Sequence, residues 1–360
     1  MPARFAGAMD RLGAPWPAAV AVSGGADSLA LMRLIGQWAA EKGRARPTVL
    51  TVDHGLQKGS AANARKVLGW AKAAGLEAHC LTWKGDKPAS NLEAEARRAR
   101  YRLLGQWCKA HDVAALYLAH TRDDQAETFL LRLARGSGLD GLAAMRPLAN
   151  FPEPGFDPVR VARPLLDFDG ESLREFLSVA GQTWIEDPMN SDPRFDRVRI
   201  RGAMASLAGV GLTAARIADA AAHLRRARDA LDEVTAAVLR RACRPDGDGV
   251  IVDARALFAA PREVGLRALA KLLMAVSGQP YRPRFERLER LFDSISAGQL
   301  GGGRTLHGCW IGPAAGGDAR FGSDFLRVEA EKGRAEPKPA VKASKRPQAR
   351  RRSARSGRRS

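Results

Sequence analysis

Ser23-Gly24-Gly25-Ala26-Asp27-Ser28 stands between the apolar run Ala18–Val22 and the segment Leu29-Ala30-Leu31-Met32. This order predicts a buried strand, a tight glycine turn and the first turn of a helix. Adjacent glycines let the backbone approach a ligand closely, and the free N–H groups at a helix start attract anions. An ordinary strand-to-helix turn is the alternative. The full string, with one acid and two hydroxyls, favours a loop that binds phosphate together with a metal ion.

The loop differs from the two commonest phosphate-binding motifs. No lysine follows its glycines, as a Walker A sequence requires, and its glycines do not have the G-x-G-x-x-G spacing. It resembles the PP-loop of the ATP pyrophosphatases, which cleave ATP between the α and β phosphates. That resemblance implies that Ser23, Gly24, Gly25, Ala26, Asp27 and Ser28 bind ATP, with Mg²⁺ on Asp27.

Strand and helix patterns alternate through the first half of the chain. We predict strands at Ala18–Val22, Thr48–Val52, Ala78–Trp83 and Ala114–Ala119, and helices at Ser28–Lys42, Ala61–Ala74, Leu92–Ala110 and Asp123–Ala134. This alternation predicts an α/β fold with a doubly wound, Rossmann-like parallel sheet. Ligands of such sheets bind beyond the carboxyl ends of the strands. The glycine loop, Asp53-His54-Gly55-Leu56 and His120-Thr121-Arg122-Asp123-Asp124 all follow predicted strands, so we expect them in one crevice.

The character of the sequence changes after about residue 145. Prolines crowd a connecting region, a helix is predicted near Gly170–Ala180, and Trp184–Arg201 is polar and loop-like. Residues 210–243 and 262–277 are rich in Ala, Leu and Arg, which predicts helices. We therefore expect a PP-loop catalytic domain over residues 1–205, a small helical domain over 206–294, a short α/β or β remnant over 295–330, and a disordered basic tail over 331–360.

The chain carries a formal net charge of +19. Residues 331–360 hold twelve Lys/Arg and two Glu, so the other 330 residues still carry +9. Such a charge favours a polyanionic partner, although a solvated basic surface is the alternative. Four widely spaced cysteines predict neither a disulfide framework nor a clustered metal site. No apolar segment of membrane-spanning length and no secretory leader is recognisable, so we expect a cytoplasmic protein without a membrane partner.

Acidic residues are the main candidates for chemistry. If Asp27 lies beside ATP phosphates, Mg²⁺ must lie between its carboxylate and the phosphates. The alternative is that Asp27 is an N-cap acid of the following helix. Asp124 and Glu127 are three residues apart and should face one side of a helix. They could hold a metal ion or a substrate ammonium, while capping is the alternative for Asp124. His120 could donate a hydrogen bond to a phosphate, or it could only form a hydrogen bond within its own turn.

Two groups of arginines leave their roles open. Glu93 with Arg97, and Glu95 with Arg98, have the spacing of ion pairs on a surface helix, which is the favoured interpretation; a site role for Arg97 or Arg100 is the alternative. Arg197, Arg199 and Arg201 alternate, so an extended backbone would put them on one face. That face would suit phosphate or carboxylate contacts, or would be a solvated edge.

Taken together, the motifs resemble those of the tRNA(Ile)-lysidine synthases. The matching strings are SGGADSLAL, VDHGL, NLEAEARRARYRLL, LAHTRDDQAETFLLRLARGSGLDGLAAM, RPLL and WIEDPMNSD, in order from residue 23 to about 201, with a weaker match at GGGRTLHGC. The family joins L-lysine to C2 of the wobble cytidine in a tRNA(Ile) with a CAU anticodon. ATP first adenylates the C2 oxygen and releases pyrophosphate, and the lysine amine then displaces AMP.

The resemblance also implies roles for particular residues. ATP and its Mg²⁺ would bind the glycine loop together with Asp53 and His54, and the metal ion would lie on Asp27 and Asp124. Catalysis would involve Asp27, His120, Asp124, Glu127 and Arg201. Asp124 and Glu127 would hold the lysine substrate, and one arginine of Arg197–Arg201 would meet its carboxylate or a phosphate. The small helical domain over 206–294 would bind tRNA, and the enzyme would be a monomer or a homodimer.

Departures from the family pattern affect only the assignment of arginines. Thr121-Arg122 replaces the usual residues after His120, and Val198 stands where many members have Asn. Other possibilities are a different PP-loop enzyme, such as a tRNA thiolase or an amide-forming synthetase, or an RNA-binding relative that has lost catalysis.

Overall fold

Apolar strands and amphipathic helices alternate through the first half of the chain, as the sequence predicts. The computed structural model describes residues 1–56, 59–85, 87–88, 91–186, 196–314 and 324–331, and of Glu93 the backbone only. Its helices are α1 (Pro2–Leu12), α2 (Ala26–Glu41), α3 (Ser60–Ala73), α4 (Leu92–Ala110), α5 (Arg122–Ala134), α6 (Leu139–Leu142), α7 (Gly170–Val179), α8 (Asp196–Gly209), α9 (Ala214–Ala242), α10 (Ala254–Phe258), α11 (Arg262–Ser277) and α12 (Phe285–Ser296). Its strands are β1 (Ala18–Ala21), β2 (Thr48–Asp53), β3 (Ala78–Thr82), β4 (Ala115–Tyr117), β5 (Leu148–Asn150), β6 (Arg160–Ala162), β7 (Cys243–Asp246), β8 (Gly249–Asp253), β9 (Arg304–Leu306), β10 (Cys309–Pro313) and β11 (Phe325–Ala330).

The chain divides into two compact units, Met1–Asp229 and Ala230–Ser360. The expected domain boundaries lie at 205/206 and 294/295. A division into compact units does not decide which segments fold by themselves, so those boundaries stay predictions. The tail expected at 331–360 lies, beyond Glu331, outside the described residues. Among the described residues, no helix is long and apolar enough to cross a membrane.

The first unit is built on a six-stranded sheet in the order β3-β2-β1-β4-β6-β5. Its strands are parallel except for β5, which is antiparallel to β6. Val20 in β1 lies opposite Val49 of β2 and Tyr117 of β4, and all three side chains are buried. Helices pack against the sheet through apolar side chains such as Leu31 and Ile35 of α2. The predicted parallel α/β sheet is confirmed, and it brings the carboxyl ends of β1, β4 and β6 side by side.

The second unit contains an antiparallel sheet in the order β7-β8-β11-β10-β9. Helix α11 packs on this sheet with most of its side chains buried, since Leu269 and Leu273 share a core with Ile311 and Val328. The sequence predicted helices at 210–243 and 262–277, and both exist as α9 and α11. The helical segment expected over 206–294 also contains the hairpin of β7 and β8, which the sequence pattern did not indicate.

The segment Trp184–Arg201 also differs from its prediction. We expected a loop, in which an extended backbone would put the three alternating arginines on one face, but α8 begins at Asp196 and runs through all three. Arg197 and Arg201 are therefore on one helical face, four residues apart, while Arg199 points elsewhere. Arg199 instead pairs with Asp196 one turn earlier. The rest of the WIEDPMNSD string, residues 187–192, lies outside the described residues.

Candidate active site

The glycine loop has a shape that only glycine permits at its second position. Gly24 has φ +95°, and a Cβ built on it would lie 2.6 Å from Cδ1 of Ile185. The backbone N–H of Ile185 donates to the carbonyl of Gly24 at 2.9 Å. Ile185 therefore lies directly against the loop, and a Cβ at Gly24 would require the end of its side chain to shift.

The two serines of the loop bond to the loop itself. The Ser28 hydroxyl donates to the carbonyl of Gly25 at 2.8 Å and accepts the backbone N–H of Ser23 at 3.2 Å. Gly25 is the N-cap of α2 and supplies no side-chain cap. The first N–H groups of α2 therefore lack a side-chain acceptor at the N-cap, which is the condition under which a helix start binds an anion. Ser23 is exposed, and Ser28 is buried.

Asp27 is a half-buried carboxylate in an unfavourable environment. Its Oδ1 atom is buried and has no hydrogen-bond partner among the described residues. Burial, and then the neighbouring Asp124 and Asp123, raise the pKa of Asp27 to about 6, while Arg174 and Arg201 act in the opposite direction. Arg174 stands in none of the sequence motifs. A carboxylate with an unused buried oxygen beside two other acids is a fitting place for a cation.

The start of α5 holds its acids by capping interactions. The Oδ2 atom of Asp124 accepts the backbone N–H of Thr121 at 2.8 Å, and the Thr121 hydroxyl faces the N–H of Asp124 in a capping box. Asp123 accepts the backbone N–H of Gly170, the first residue of α7, at 3.0 Å. Capping, which the sequence left as the alternative for Asp124, is thus one of its roles. It also fixes Asp124 close enough to Asp27 to raise the pKa of Asp27.

Glu127 lies one turn further along α5 and is 2 % exposed. Its Oε1 atom accepts both Nε and Nη2 of Arg201, at 2.8 and 2.7 Å. Its Oε2 atom is buried without a partner among the described residues. Burial raises the pKa of Glu127 even though Arg201 lowers it, and Asp124 adds to the rise. The same face of α5 therefore presents two acids, one of them held by an arginine from α8.

His120 lies at the carboxyl end of β4, where the sequence placed it. Burial lowers the pKa of His120 well below its usual value, and Arg163, Arg100, Arg97 and Arg197 lower it further. The imidazole is therefore neutral at physiological pH, and its Nδ1 atom is buried without a described partner. Arg163 was missed by sequence reasoning. Its only signal was its place in the RPLL string, to which no role was given.

The side chains of Asp53 and His54 accept hydrogen bonds within the link that follows β2. The Asp53 carboxylate accepts the Ser60 hydroxyl at 2.6 Å and the backbone N–H of Gly55 at 3.1 Å, and these bonds lower the pKa of Asp53. Nδ1 of His54 accepts the backbone N–H of Leu56 at 3.1 Å. These bonds shape the link from β2 to α3 at the carboxyl edge of the sheet. A contact to ATP stays a prediction for both residues.

The donor sets at this edge fit ATP and Mg²⁺. The start of α2 offers backbone N–H groups without a side-chain cap, and Asp27 offers a buried oxygen that has no partner among the described residues. Among the described residues, no group of three or more His, Cys, Asp or Glu side chains is arranged to hold a metal ion. Mg²⁺ usually takes only one or two carboxylates, with phosphate and water completing its shell, so the fit does not need such a group.

Comparisons with known proteins agree with this geometry. The family model of the PP-loop domain matches residues 14–207. The tRNA(Ile)-lysidine synthase of Ruegeria pomeroyi is 41% identical over 299 residues, which cover 81% of this chain and 70% of that protein. The tRNA(Ile)-lysidine synthase of Methylobacterium nodulans is 42% identical over 305 residues, covering 82% and 88%.

A solved structure shares the fold at lower identity. The U34-tRNA thiolase NcsA from Methanococcus maripaludis, with its 4Fe-4S cluster, superposes with a TM-score of 0.50 at 16% identity, over 64% of this chain and 78% of that one. This likeness concerns the fold alone. The match to the PP-loop domain and the identity to curated relatives over most of their length place this chain in the tRNA(Ile)-lysidine synthase family.

Proposed function

We propose that this protein uses ATP to join L-lysine to C2 of the wobble cytidine in a tRNA(Ile) with a CAU anticodon, releasing AMP and pyrophosphate. One observation carries the proposal besides the family relation. In the glycine loop, Asp27 has a buried oxygen without a partner among the described residues, and it shares the neighbours Asp124 and Arg201 with a buried acid, Glu127. The first supports activation by ATP, and the second supports a cationic second substrate.

The glycine loop serves the first half-reaction. The backbone N–H groups at the start of α2 would bind the phosphates, and the closed segment at Ile185 would keep the loop in shape. The cytidine C2 oxygen then attacks the α-phosphorus and pyrophosphate leaves. Asp27, with Asp124 beside it, would hold Mg²⁺, which neutralises the charge that develops on the phosphates. The adenylated oxygen becomes a good leaving group.

The acids of α5 serve the second half-reaction. An ammonium group of lysine would take the place that Arg201 now occupies on Glu127, and Asp124 would lie on the same side. The attacking amine forms a bond to C2, the bond from C2 to the adenylated oxygen breaks, and AMP departs with that oxygen. The amine loses its proton in this step. Because burial raises the pKa of Glu127, its carboxylate is better able to accept a proton than an exposed glutamate.

The partner and compartment follow from the same proposal. A single-stranded anticodon loop can present its base without opening a duplex. The positive charge of the chain suits tRNA. We propose the cytoplasm as its compartment and either a monomer or a homodimer as its state.

The test is lysine incorporation by the purified full-length chain. The reaction contains ATP, Mg²⁺, radiolabelled lysine and a tRNA(Ile) transcript with a CAU anticodon, and a transcript with a GAU anticodon serves as the control. We expect label in the first RNA only, together with one pyrophosphate per lysine. Asp27→Ala should abolish pyrophosphate release while tRNA binding persists. A folded protein that releases no pyrophosphate and labels neither RNA would refute the proposal.

A thiolase of the same fold is the candidate that the assay separates most simply. Mass analysis of the modified nucleoside distinguishes an added lysyl group from an oxygen-to-sulfur exchange. The similarity to the solved thiolase is one of fold and does not favour that reaction for this chain.

A further inference from the structure

Three arginines gather around a buried tyrosine on the α4 side of the candidate site. The guanidinium carbons of Arg97 and Arg100 lie 5.1 and 5.4 Å from the ring centre of Tyr101, which is 2 % exposed. Arg163, which follows β6 and is 9 % exposed, lies within side-chain hydrogen-bonding reach of Tyr101 and acts electrostatically on Arg97. His120, at the end of the neighbouring strand β4, feels all three arginines. We call Arg97, Arg100, Arg163 and His120 the arginine pocket.

The arginine pocket contains polar atoms that the described residues do not satisfy. The Nε atoms of Arg100 and Arg163 and the Nδ1 atom of His120 are buried and have no hydrogen-bond partner there. The Nη1 atom of Arg163 donates to the carbonyl of Arg146 at 3.0 Å, which leaves its Nε donor unused. None of the three arginines pairs with a carboxylate among the described residues. Arg97 is exposed, but buried charged donors without partners, such as the Nε atoms of Arg100 and Arg163, are costly, and an anionic ligand explains them most readily.

The arginine pocket also differs from the ion-paired surface that the sequence favoured for this helix. Arg98, between Arg97 and Arg100, does behave as a surface residue, since it is exposed and pairs with Glu95 at 2.9 Å. Arg100 lies two positions further, on another face of α4, and faces Tyr101. One helix therefore carries both a solvated ion pair and an arginine turned toward the site.

We propose that the arginine pocket binds phosphate groups of a substrate. Guanidinium forks match the oxygens of phosphate in pairs, and several arginines suit a polyphosphate or consecutive phosphodiesters better than one carboxylate. His120 is neutral and adds a ring nitrogen to the pocket without adding charge.

Two sources of phosphate are within reach of this place in the sheet. Strand β4, which leads to His120, lies between β1, which leads to the glycine loop, and β6, which leads to Arg163. The pocket therefore adjoins the region where ATP would be cleaved and the acceptor base would enter. One source is pyrophosphate from ATP, and the other is the RNA backbone beside the acceptor cytidine. The identity of both sources rests on the proposed function.

The experiment compares two arginines of one helix. Arg100→Gln removes a charge from the arginine pocket, and Arg98→Gln removes the same charge from the solvated pair. Binding of inorganic pyrophosphate is measured by calorimetry, and binding of a CAU anticodon stem-loop by fluorescence anisotropy, both on the full chain without lysine or ATP. We expect Arg100→Gln to weaken at least one probe about tenfold or more, and Arg98→Gln to change both less than about twofold.

The pattern of weakened binding identifies the source. A loss confined to pyrophosphate assigns the pocket to ATP, a loss confined to the stem-loop assigns it to the RNA backbone, and a loss of both means that either phosphate occupies it. Arg97→Gln, at an exposed position, repeats the test if Arg100→Gln unfolds the protein. Equal binding of both probes by the Arg97, Arg98 and Arg100 variants would overturn the proposal. Because neither probe requires turnover, this outcome is distinct from a failure of lysine incorporation, which tests the proposed function.

Discussion

Asp27 is a carboxylate that the fold holds in a place where its charged form is unfavourable. The residue lies in the first turn of α2, where a negative charge is favoured by the helix, yet its pKa is raised to about 6. Burial and two neighbouring acids outweigh the helix and the nearby arginines. Such a residue lowers the stability of the empty protein, and a bound cation would reverse this effect. The arrangement is typical of a binding site rather than of a helix cap.

This interpretation leads to a stability prediction for Asp27→Asn. A raised pKa means that the folded state binds a proton more tightly than the unfolded state, so the free energy of unfolding falls as pH rises from 3.8 to about 6. The shift corresponds to at most about 3 kcal/mol. Without ATP or metal, we expect the asparagine variant to melt at a higher temperature than wild type at about pH 8, and at the same temperature near pH 4.

The control for this variant is Asp10→Asn, at an exposed acid on α1. It should leave the melting temperature unchanged at both pH values. Equal melting of wild type and Asp27→Asn at the higher pH would contradict the assignment of Asp27 as a destabilising carboxylate. The same variant should lose pyrophosphate release, which separates stability from activity.

Glu127 and Arg201 allow a second prediction, because their exposures differ. Glu127 is buried, whereas the Arg201 side chain is 55% exposed. Arg201→Met would leave the carboxylate buried without its cation, and we expect a loss of about 2 kcal/mol near neutral pH, less than for a fully buried pair. The loss should shrink toward acid pH, because Glu127 has a raised pKa and becomes protonated. Denaturant unfolding at several pH values measures it.

A double-mutant cycle separates this effect from the removal of a surface charge. The double variant Glu127→Gln/Arg201→Met should be more stable than Arg201→Met alone, because no buried charge is left unpaired. Arg199→Met is the matched control on the same helix, since Arg199 is exposed and pairs only with nearby Asp196 among the described residues. Equal losses of stability for the two arginine variants would contradict a special role of the Glu127 pair.

Among single residues, the sequence indicated candidates for the site where they belong to a recognisable motif. Asp27 was singled out from the glycine loop, and Asp124 and Glu127 from their helical spacing and the resemblance to the family; their roles stay predictions. The structure adds that Asp124 also caps its helix and that Arg201 already holds Glu127. Arg174 had no such signal, and Arg163 stood in the RPLL string without an assigned role. The proximity of both to the site depends on the order of strands and helices in space rather than on spacing in the chain.

At the scale of elements, the glycine loop depends on a segment far away in sequence. Gly24→Ala would strain a backbone at φ +95° and would also force a Cβ against Ile185. The backbone strain alone is worth about 1–2 kcal/mol. We expect a larger loss of stability than this, together with weaker ATP binding, because the loop and the Ile185 segment must move apart. Thermal unfolding and calorimetric titration with ATP measure the two effects.

Gly43→Ala serves as the matched control. Gly43 has φ +62° and open space around its missing side chain, so its alanine variant carries the backbone strain alone. Combining Gly24→Ala with Ile185→Val, which removes the contacting Cδ1 atom, should recover part of the stability. The contact between loop and segment would be disproved if the valine gave no recovery.

Elements with strong periodicity were predicted well. The helix Leu92–Ala110 has the bounds that its pattern indicated, and the first strands differ only by a residue or so. The errors lie where local pattern was weak. Helix α8 has almost no segregation of apolar and polar side chains, so nothing marked Asp196–Gly209 as helical. The hairpin at Cys243–Asp253 is short, and its Asp246-Gly247-Asp248 turn was overlooked between two helices.

At the scale of the whole molecule, the distribution of charge is the strongest feature that the sequence alone provides. Of the net +19, residues 331–360 contribute +10, from twelve basic and two acidic side chains. A segment of this composition buries little apolar surface and would contact RNA through its phosphates rather than its bases. Its contribution to affinity should therefore depend on salt and not on RNA sequence.

Deleting residues 331–360 tests this view on the otherwise intact chain. We expect weaker tRNA binding at low salt. The slope of log affinity against log salt concentration should also become less steep, by about 0.7 for each single-stranded phosphate that the tail no longer neutralises. CAU and GAU stem-loops should lose affinity equally.

The matched control keeps the length of the tail and replaces its Lys and Arg residues by Gln, and it should behave like the deletion. Equal affinity of full-length and truncated chains at low salt would contradict an electrostatic role. A loss of affinity confined to the CAU stem-loop would instead mean that the tail takes part in recognising the anticodon.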